Sequence, residues 1–485
     1  MSLRLLFAVL LACTVMLTGG CATRPVNTSI AEVNRNAGYR FGTRLLYDKD
    51  KETLIVLAFS GGGTRAAAFS FGVLEELRRT EVVTKSGQQV RVLDMVDVIT
   101  GVSGGSFTAL AYGLYGDKLF DEYEKRFLKR NVQGELLSRF LSPKNWMALW
   151  SGGWGRSEMA AELYDEILFS GATFSDLDLR GGPLIIATAT DISTGSRMSF
   201  LQTDFDMLCS NLDSVPLSRA AAASSAVPLV LSPVTLNNYG GTCGLRPPRW
   251  VLSLTDPVNP ARPAGRAVQR LKEMNAFQDS KNRPFIHLVD GGVSDNLGMR
   301  GVIETLEELE AIRSTGATTR LDDVRRIVVF VVNSLSVPKT NWDQSERPPN
   351  DLLILLKATG VPIDRYSYEA VELLKDIVAR WKTLRGLSEA GAFSQGESAK
   401  FASLGKIPNA EIYAIDVSFS ALKDVAEQDY LNDLPTSFVL SDEQVDRLRA
   451  AAGTIIEESP EFKRLLKDMG AKTVPKPAPA KAVAP

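Results

Sequence analysis

Ser103 lies in VITGVSGGSF, where Gly101-Val102-Ser103-Gly104-Gly105 makes a G-x-S-x-G frame. An apolar run leads into this frame and a helical pattern leads out. Glycines there allow a sharp strand-to-helix turn and clear the approach to the hydroxyl, with Gly101 and Gly105 forming the elbow. This is the setting of a nucleophilic serine, which needs a base for its proton and donors for the oxyanion formed when it attacks a carbonyl. Donors are offered by Gly61-Gly62-Gly63-Thr64-Arg65. The stretch presents unobstructed backbone N–H groups beside a helix start, an anion site by construction.

The base is less obvious, because the chain of 485 residues holds one histidine, His287, in FIHLVDGGVSD. In an extended strand, residues three apart point to opposite faces and lie about 10 Å from each other, so His287 and Asp290 should not touch as triad partners do. His287 falls on what reads as a half-buried face. Asp290 ends the strand, where α/β sheets gather reactive groups, and Gly291 and Gly292 clear space around its carboxylate. Asp290 is therefore expected to take the Ser103 proton directly. Its reference pKa near ~3.9 makes it a weak base, which partial desolvation would strengthen.

Gly61-x-Gly63-x-x-Ala66 also fits the dinucleotide fingerprint G-x-G-x-x-G/A, with Asp94 or Asp97 as ribose ligand. Those carboxylates come roughly ten residues later than the usual spacing of about 20, and no cofactor is expected. One histidine cannot build a multi-histidine zinc site. No calcium loop with alternating acidic residues is visible either, so hydrolysis without metal is the expected route.

These groups need a scaffold that carries them to one place. TLIVLAF, SGGGTR and a helical AAAFSFGVLEELRR follow one another, and MVDVITGV, SGGS and FTALAYGLYG repeat the plan. Two strand–turn–helix units in succession predict a parallel sheet covered by helices on both faces. Further strands are expected at PLIIATAT, PFIHLVD, RRIVVFVVN and EIYAIDVSF. Helices are expected at RSEMAAELYDEILF, MRGVIETLEELEAI and YSYEAVELLKDIVARWKTL, the last with a core-facing stripe of Val371, Leu374, Val378 and Trp381.

GGGTRA, GVSGG and DGG, in this order and joined by ASSAVP at 223–228, resemble the motifs of the patatin-like phospholipases. The resemblance covers roughly residues 54 to 300. It implies a three-layer α/β/α sandwich with a mainly parallel central sheet and a Ser–Asp dyad, which falls on Ser103 and Asp290. It also implies an oxyanion-hole motif, which falls on Gly61, Gly62, Gly63 and Arg65. Ala66 stands where the family usually has glycine. The activity implied is metal-independent hydrolysis of fatty-acyl esters in a phospholipid or lysophospholipid. A carboxylesterase or acyltransferase on the same site, or a non-catalytic envelope protein that binds lipid, are the alternatives.

Residues 1–20 have the layout of an export signal, and LTGGC resembles a bacterial lipoprotein signal with Cys21 as the lipidated residue. Two or more acyl chains there would anchor the chain to a membrane. By the same resemblance Ala22 favours the outer membrane, facing the periplasm. The expected organisation is a signal, a tether over 21–45, a catalytic domain over 46–460 with C-terminal helical insertions, and a Pro/Ala-rich disordered tail over 471–485. Export leaves Cys209 and Cys243 as an even pair in an oxidising compartment, where a disulfide would contribute about 3 to 4 kcal/mol.

A net charge of −2, with 45% hydrophobic and 23% charged residues, describes an ordinary globular chain with no basic field for nucleic acid. Protein partners are not legible. Trp146, Trp150 and Trp154 recur every four residues, as an interfacial face would require, although packed indoles are the commoner reason for such spacing. KRFLKR at 125–130 reads equally as a lipid-attracting cluster or a solvated helix face.

Overall fold

TLIVLAF has no polar side chain after Thr53, and such a segment is satisfied only between layers that cover both of its faces. It forms β1 (Thr53–Phe59), buried along its whole length. The computed structural model describes residues 24–44, 52–83, 87–149, 154–248, 252, 264–314, 323–337, 342–389, 410–470 and 472–473. After β1 the strands are β2 (Glu81–Val83), β3 (Gln89–Arg91), β4 (Val98–Val102), β5 (Leu184–Asp191), β6 (Arg197–Ser199), β7 (Val234–Asn237), β8 (Phe285–Asp290), β9 (Arg326–Asn333), β10 (Glu411–Ser418) and β11 (Lys472–Thr473).

Among the described residues the main sheet has eight strands, in the order β10-β9-β1-β4-β5-β8-β7 with β6 paired to β5. From β10 to β5 the neighbours are parallel, whereas β8 runs antiparallel to β5 and β7 antiparallel to β8. A separate small sheet holds β11, β2 and β3.

The helices that matter for the site are α1 (Gly63–Arg79) after β1, α2 (Gly104–Tyr115) after β4, α3 (Arg156–Tyr164), α4 (Leu217–Ser224), α5 (Asp351–Glu389) and α6 (Asp442–Glu458). The path β1 to β4 to β5 advances one way along the sheet, and β9 to β10 the other. Right-handed crossovers therefore distribute the helices over both faces, giving the α/β/α sandwich. α6 lies so close along α1 that a methyl at Gly72 would meet the Arg449 carbonyl oxygen at 2.5 Å. On α5, Leu374 and Trp381 are buried, with Val371 and Val378 packed beside them.

Several expectations about organisation are corrected. Residues 24–44 are not a free tether. Tyr39 is wholly buried and its hydroxyl accepts the Ile185 N–H at 2.7 Å, while Arg40 pairs with the buried Asp206 at 2.9 Å. A polar, aperiodic segment can still be fixed when its few aromatic and charged groups fill specific sites. β9 and β10 extend the central sheet itself, so the sheet core continues well past residue 300. The folded unit also passes residue 460, since Phe462 and Leu465 are buried. The 471–485 tail starts as a strand, with Lys472 and Thr473 paired to Val83 and Val82, and residues 474–485 lie outside the described residues. The signal and Cys21 lie outside them too.

The tryptophans part company. Trp146 is exposed, Trp154 is buried with its indole N–H donating to Glu162 at 2.8 Å, and Trp150 lies outside the described residues. In KRFLKR, Phe127 and Leu128 are buried, Lys129 pairs with Glu124 and Asp446, and Arg130 pairs with Glu135. No helix among the described residues is long and apolar enough to cross a membrane.

Candidate active site

The sheet register carries Ser103 and Asp290 to one place. Phe59 pairs with Gly101, Val102 with Thr188, and Ala189 with Asp290. Counting two residues past β1 and one past β4 puts Gly61, Ser103, Ala189 and Asp290 in a single row across four strands. Asp290 is at this rim for a different reason from the one its sequence position suggested. β8 runs against its parallel neighbours, so its C-terminal end points away from theirs. It pairs only with the last three residues of β5, where that strand outruns β4, and this overhang sets Asp290 level with Ser103.

Ser103 occupies φ 48 and ψ −120, a region non-glycine residues avoid at about 1–3 kcal/mol. The surrounding glycines make the turn sterically possible. At Gly101 a methyl would lie 2.7 Å from the Ser106 Cα, and at Gly105 2.6 Å from the Ser60 carbonyl oxygen. At Gly104, outside the G-x-S-x-G consensus glycines, it would run into the Gly63 carbonyl oxygen. The first glycine of VSGGS, directly after the serine, is the available signal. The Ser103 hydroxyl faces the Asp290 carboxylate and draws its pKa down, and the Ser103 backbone N–H donates to Ser224 Oγ at 2.9 Å.

Asp290 is buried, and its Oδ1 accepts the Gly292 N–H at 2.8 Å. Burial pushes its pKa up to about 6, against the pull of the Gly292 N–H and the nearby Ser103 hydroxyl. It is thus a stronger base than a solvated aspartate, yet still ionised at neutral pH. Gly291 is needed because a methyl there would strike the Thr188 carbonyl oxygen. His287 is exposed rather than half-buried, on the other face of β8, with its Nδ1 3.0 Å from Thr235 Oγ1.

The glycine loop after β1 is arranged differently from the expectation at two positions. The Gly61 N–H is already committed to the Asn296 carbonyl at 2.9 Å, and that of Thr64 to the Ser437 carbonyl at 2.8 Å. Gly62 (φ 142) and Gly63 (φ 61) have no such partner among the described residues, and both hold backbone angles suited to glycine. Their amides, at the start of α1, are the ones left to receive an anion.

Arg65 does not reach into the site. It is buried, with Nε on the Ser334 carbonyl at 2.8 Å, Nη1 on the Leu434 carbonyl at 2.7 Å and Nη2 on Thr436 Oγ1 at 3.0 Å. Burial lowers its pKa to about 10, so it stays charged at neutral pH. It binds the oxyanion loop to chain segments far beyond the motif, and nothing local in GGGTRA signals those partners.

The two acids of the dinucleotide alternative serve the scaffold. Asp97 Oδ2 accepts the Ile55 N–H at 2.7 Å at the far end of β1, and Asp94 pairs with Arg91. No cluster of side chains able to hold a metal ion is found among the described residues. Cys209 and Cys243 are joined in a disulfide, with their Cα atoms 5.5 Å apart.

Residues 57–303 match the family described as "Patatin-like phospholipase". Two curated relatives, each described as a cGAMP-activated phospholipase, are similar over part of their length. That of Escherichia coli is 28% identical over 190 residues, which is 38% of this chain and 49% of the relative. That of Vibrio cholerae serotype O1 is 27% identical over 204 residues, 41% of this chain and 56% of the relative. The chain thus spans about half the length of these relatives. Among solved structures, human GIVD cytosolic phospholipase A2 bound to methyl gamma-linolenyl fluorophosphonate overlaps with a TM-score of 0.40 at 14% identity, covering 88% of this chain and 61% of that one. VipD from Legionella pneumophila overlaps at 0.29 and 12% identity, covering 93% and 72%.

Proposed function

Because this chain belongs to the patatin-like phospholipase family, we propose that it hydrolyses fatty-acyl esters of phospholipids or lysophospholipids through an acyl-Ser103 intermediate. The observation that carries this reading is the sheet row that sets Ser103 level with a buried Asp290, whose pKa is raised to about 6. Asp290 takes the hydroxyl proton as Oγ attacks the acyl carbonyl carbon. Negative charge then collects on the carbonyl oxygen, where the Gly62 and Gly63 amides receive it. The proton passes from Asp290 to the departing alcohol as the ester C–O bond breaks. Water next gives a proton to Asp290 and attacks the acyl-enzyme, and the fatty acid leaves as Ser103 recovers its hydrogen.

On this reading Arg65 shapes the loop without touching the substrate, and His287 takes no part. The lipoprotein-like LTGGC supports a chain anchored through Cys21 in a bacterial envelope, on the periplasmic side of the outer membrane. Mass spectrometry after exposure to a fluorophosphonate probe tests the chemistry. An adduct on Ser103, absent in Ser103→Ala, is expected together with fatty-acid release from phospholipid or lysophospholipid vesicles. A folded chain that takes no adduct and releases no fatty acid would leave the lipid-binding alternative. Transfer of the acyl group to an added alcohol in preference to water would make it an acyltransferase.

A further inference from the structure

Ser224 is wholly buried at the last position of α4. Its Oγ accepts the backbone N–H of Ser103 at 2.9 Å. Its own carbonyl accepts the Gly291 N–H at 3.1 Å, and the carbonyl of Ala226 accepts the Asp290 N–H at 3.0 Å. Two residues of one segment, Ser224 and Ala226, therefore hold the nucleophile on one side and the base on the other. The neighbouring Ser225 does something else, donating its hydroxyl to the Ala221 carbonyl at 2.8 Å within the helix.

We propose that Ser224 is a positioning residue, whose hydroxyl keeps the strained Ser103 backbone in its attacking geometry and fixes its separation from Asp290. This rests on the Ser103–Asp290 reading above. Ser103 is held at φ 48, where a serine backbone has no intrinsic reason to remain. Its buried N–H has the Ser224 hydroxyl as partner. Without that oxygen the donor is left unpaired, and rotating the peptide to recover a partner would move Oγ off the line to the carboxylate. The two tethers to Asp290 and Gly291 are backbone carbonyls, so a side-chain change at 224 leaves them in place. The effect should therefore fall on the nucleophile alone.

The test is Ser224→Ala in the full chain. Alanine fits this helix, which already reads LSRAAAAS, and has the highest helix propensity. The rate constant for fluorophosphonate labelling of Ser103 is expected to fall about 10- to 100-fold, the range that one unpaired buried donor would produce. Ester turnover should lose kcat with KM little changed, and the midpoint of the pH profile, set by Asp290, should stay where it is. Ser225→Ala should label at the wild-type rate. Labelling of Ser224→Ala at the wild-type rate, or an equal loss in Ser225→Ala, overturns the proposal. Should Ser224→Ala not fold, Ser224→Cys, with a weakly accepting sulfur of similar size, decides by the same criterion. A wild-type chain that takes no probe at Ser103 removes the dyad reading and this proposal together, an outcome distinct from a wild type that labels and a variant that labels equally fast.

Discussion

Asp290→Asn is expected to abolish acyl hydrolysis and at the same time stabilise the folded chain above neutral pH. Folding takes this carboxyl from an unfolded pKa near ~3.9 to about 6. A carboxylate raised in this way leaves the fold at full stability below about pH 4, where it is protonated in both states. Stability is then lost as pH rises through about 6, because the folded chain must hold a charge that burial disfavours. A difference of about 2 pKa units corresponds to about 3 kcal/mol on the plateau above ~pH 7.

Asparagine keeps an oxygen for the Gly292 N–H and can donate its amide to Ser103 Oγ, so the neutral substitute removes the penalty without stranding a partner. Urea denaturation of both proteins at about pH 4, 6 and 8 should show the variant equal to wild type at the lowest pH. The gap should open in its favour to about 3 kcal/mol at the highest. Turnover should fall by at least 10²- to 10⁴-fold, the usual loss for a missing general base. The wild-type rate should rise with pH around a midpoint near 6 and then level off. A variant no more stable than wild type at about pH 8, or a gap independent of pH, would refute the account of Asp290 as a carboxylate strained by burial.

His287→Ala should keep wild-type labelling and turnover, since its ring contacts Thr235 on the opposite face of β8, and a loss above about tenfold, more than 1.4 kcal/mol, would put an imidazole back into the reaction. Gly104→Ala should lose probe labelling almost completely, because the new methyl meets the Gly63 carbonyl, whereas Gly42→Ala, with open space around it, should label normally. Arg65→Lys is expected to lower stability by about 2–4 kcal/mol, as several buried carbonyl and hydroxyl bonds lose their planar donor, and to slow labelling by disturbing the Gly62–Gly63 loop. Thermal denaturation and probe kinetics check both effects.

The amino-acid sequence by itself determined the local parts. Glycines around Ser103 and along 61–63 announce turns that only they can make, and the spacing of apolar runs announces the strands and helices that flank them. A single histidine placed three residues from Asp290 on a strand already excludes a triad between those two. Tertiary structure decided how the parts meet. Alternation within FIHLVD is the same whichever way its neighbour runs, so the antiparallel setting of β8 and its overhang on β5 could be fixed only by long-range pairing. The same holds for the Gly61 amide, taken by Asn296, and for Arg65, drawn to carbonyls at 334 and 434, as it does for Ser224 beneath the nucleophile. Hydrogen-bond partners hundreds of residues apart leave no mark on either local pattern. Each must still be satisfied once buried, and the fold alone determines by which group.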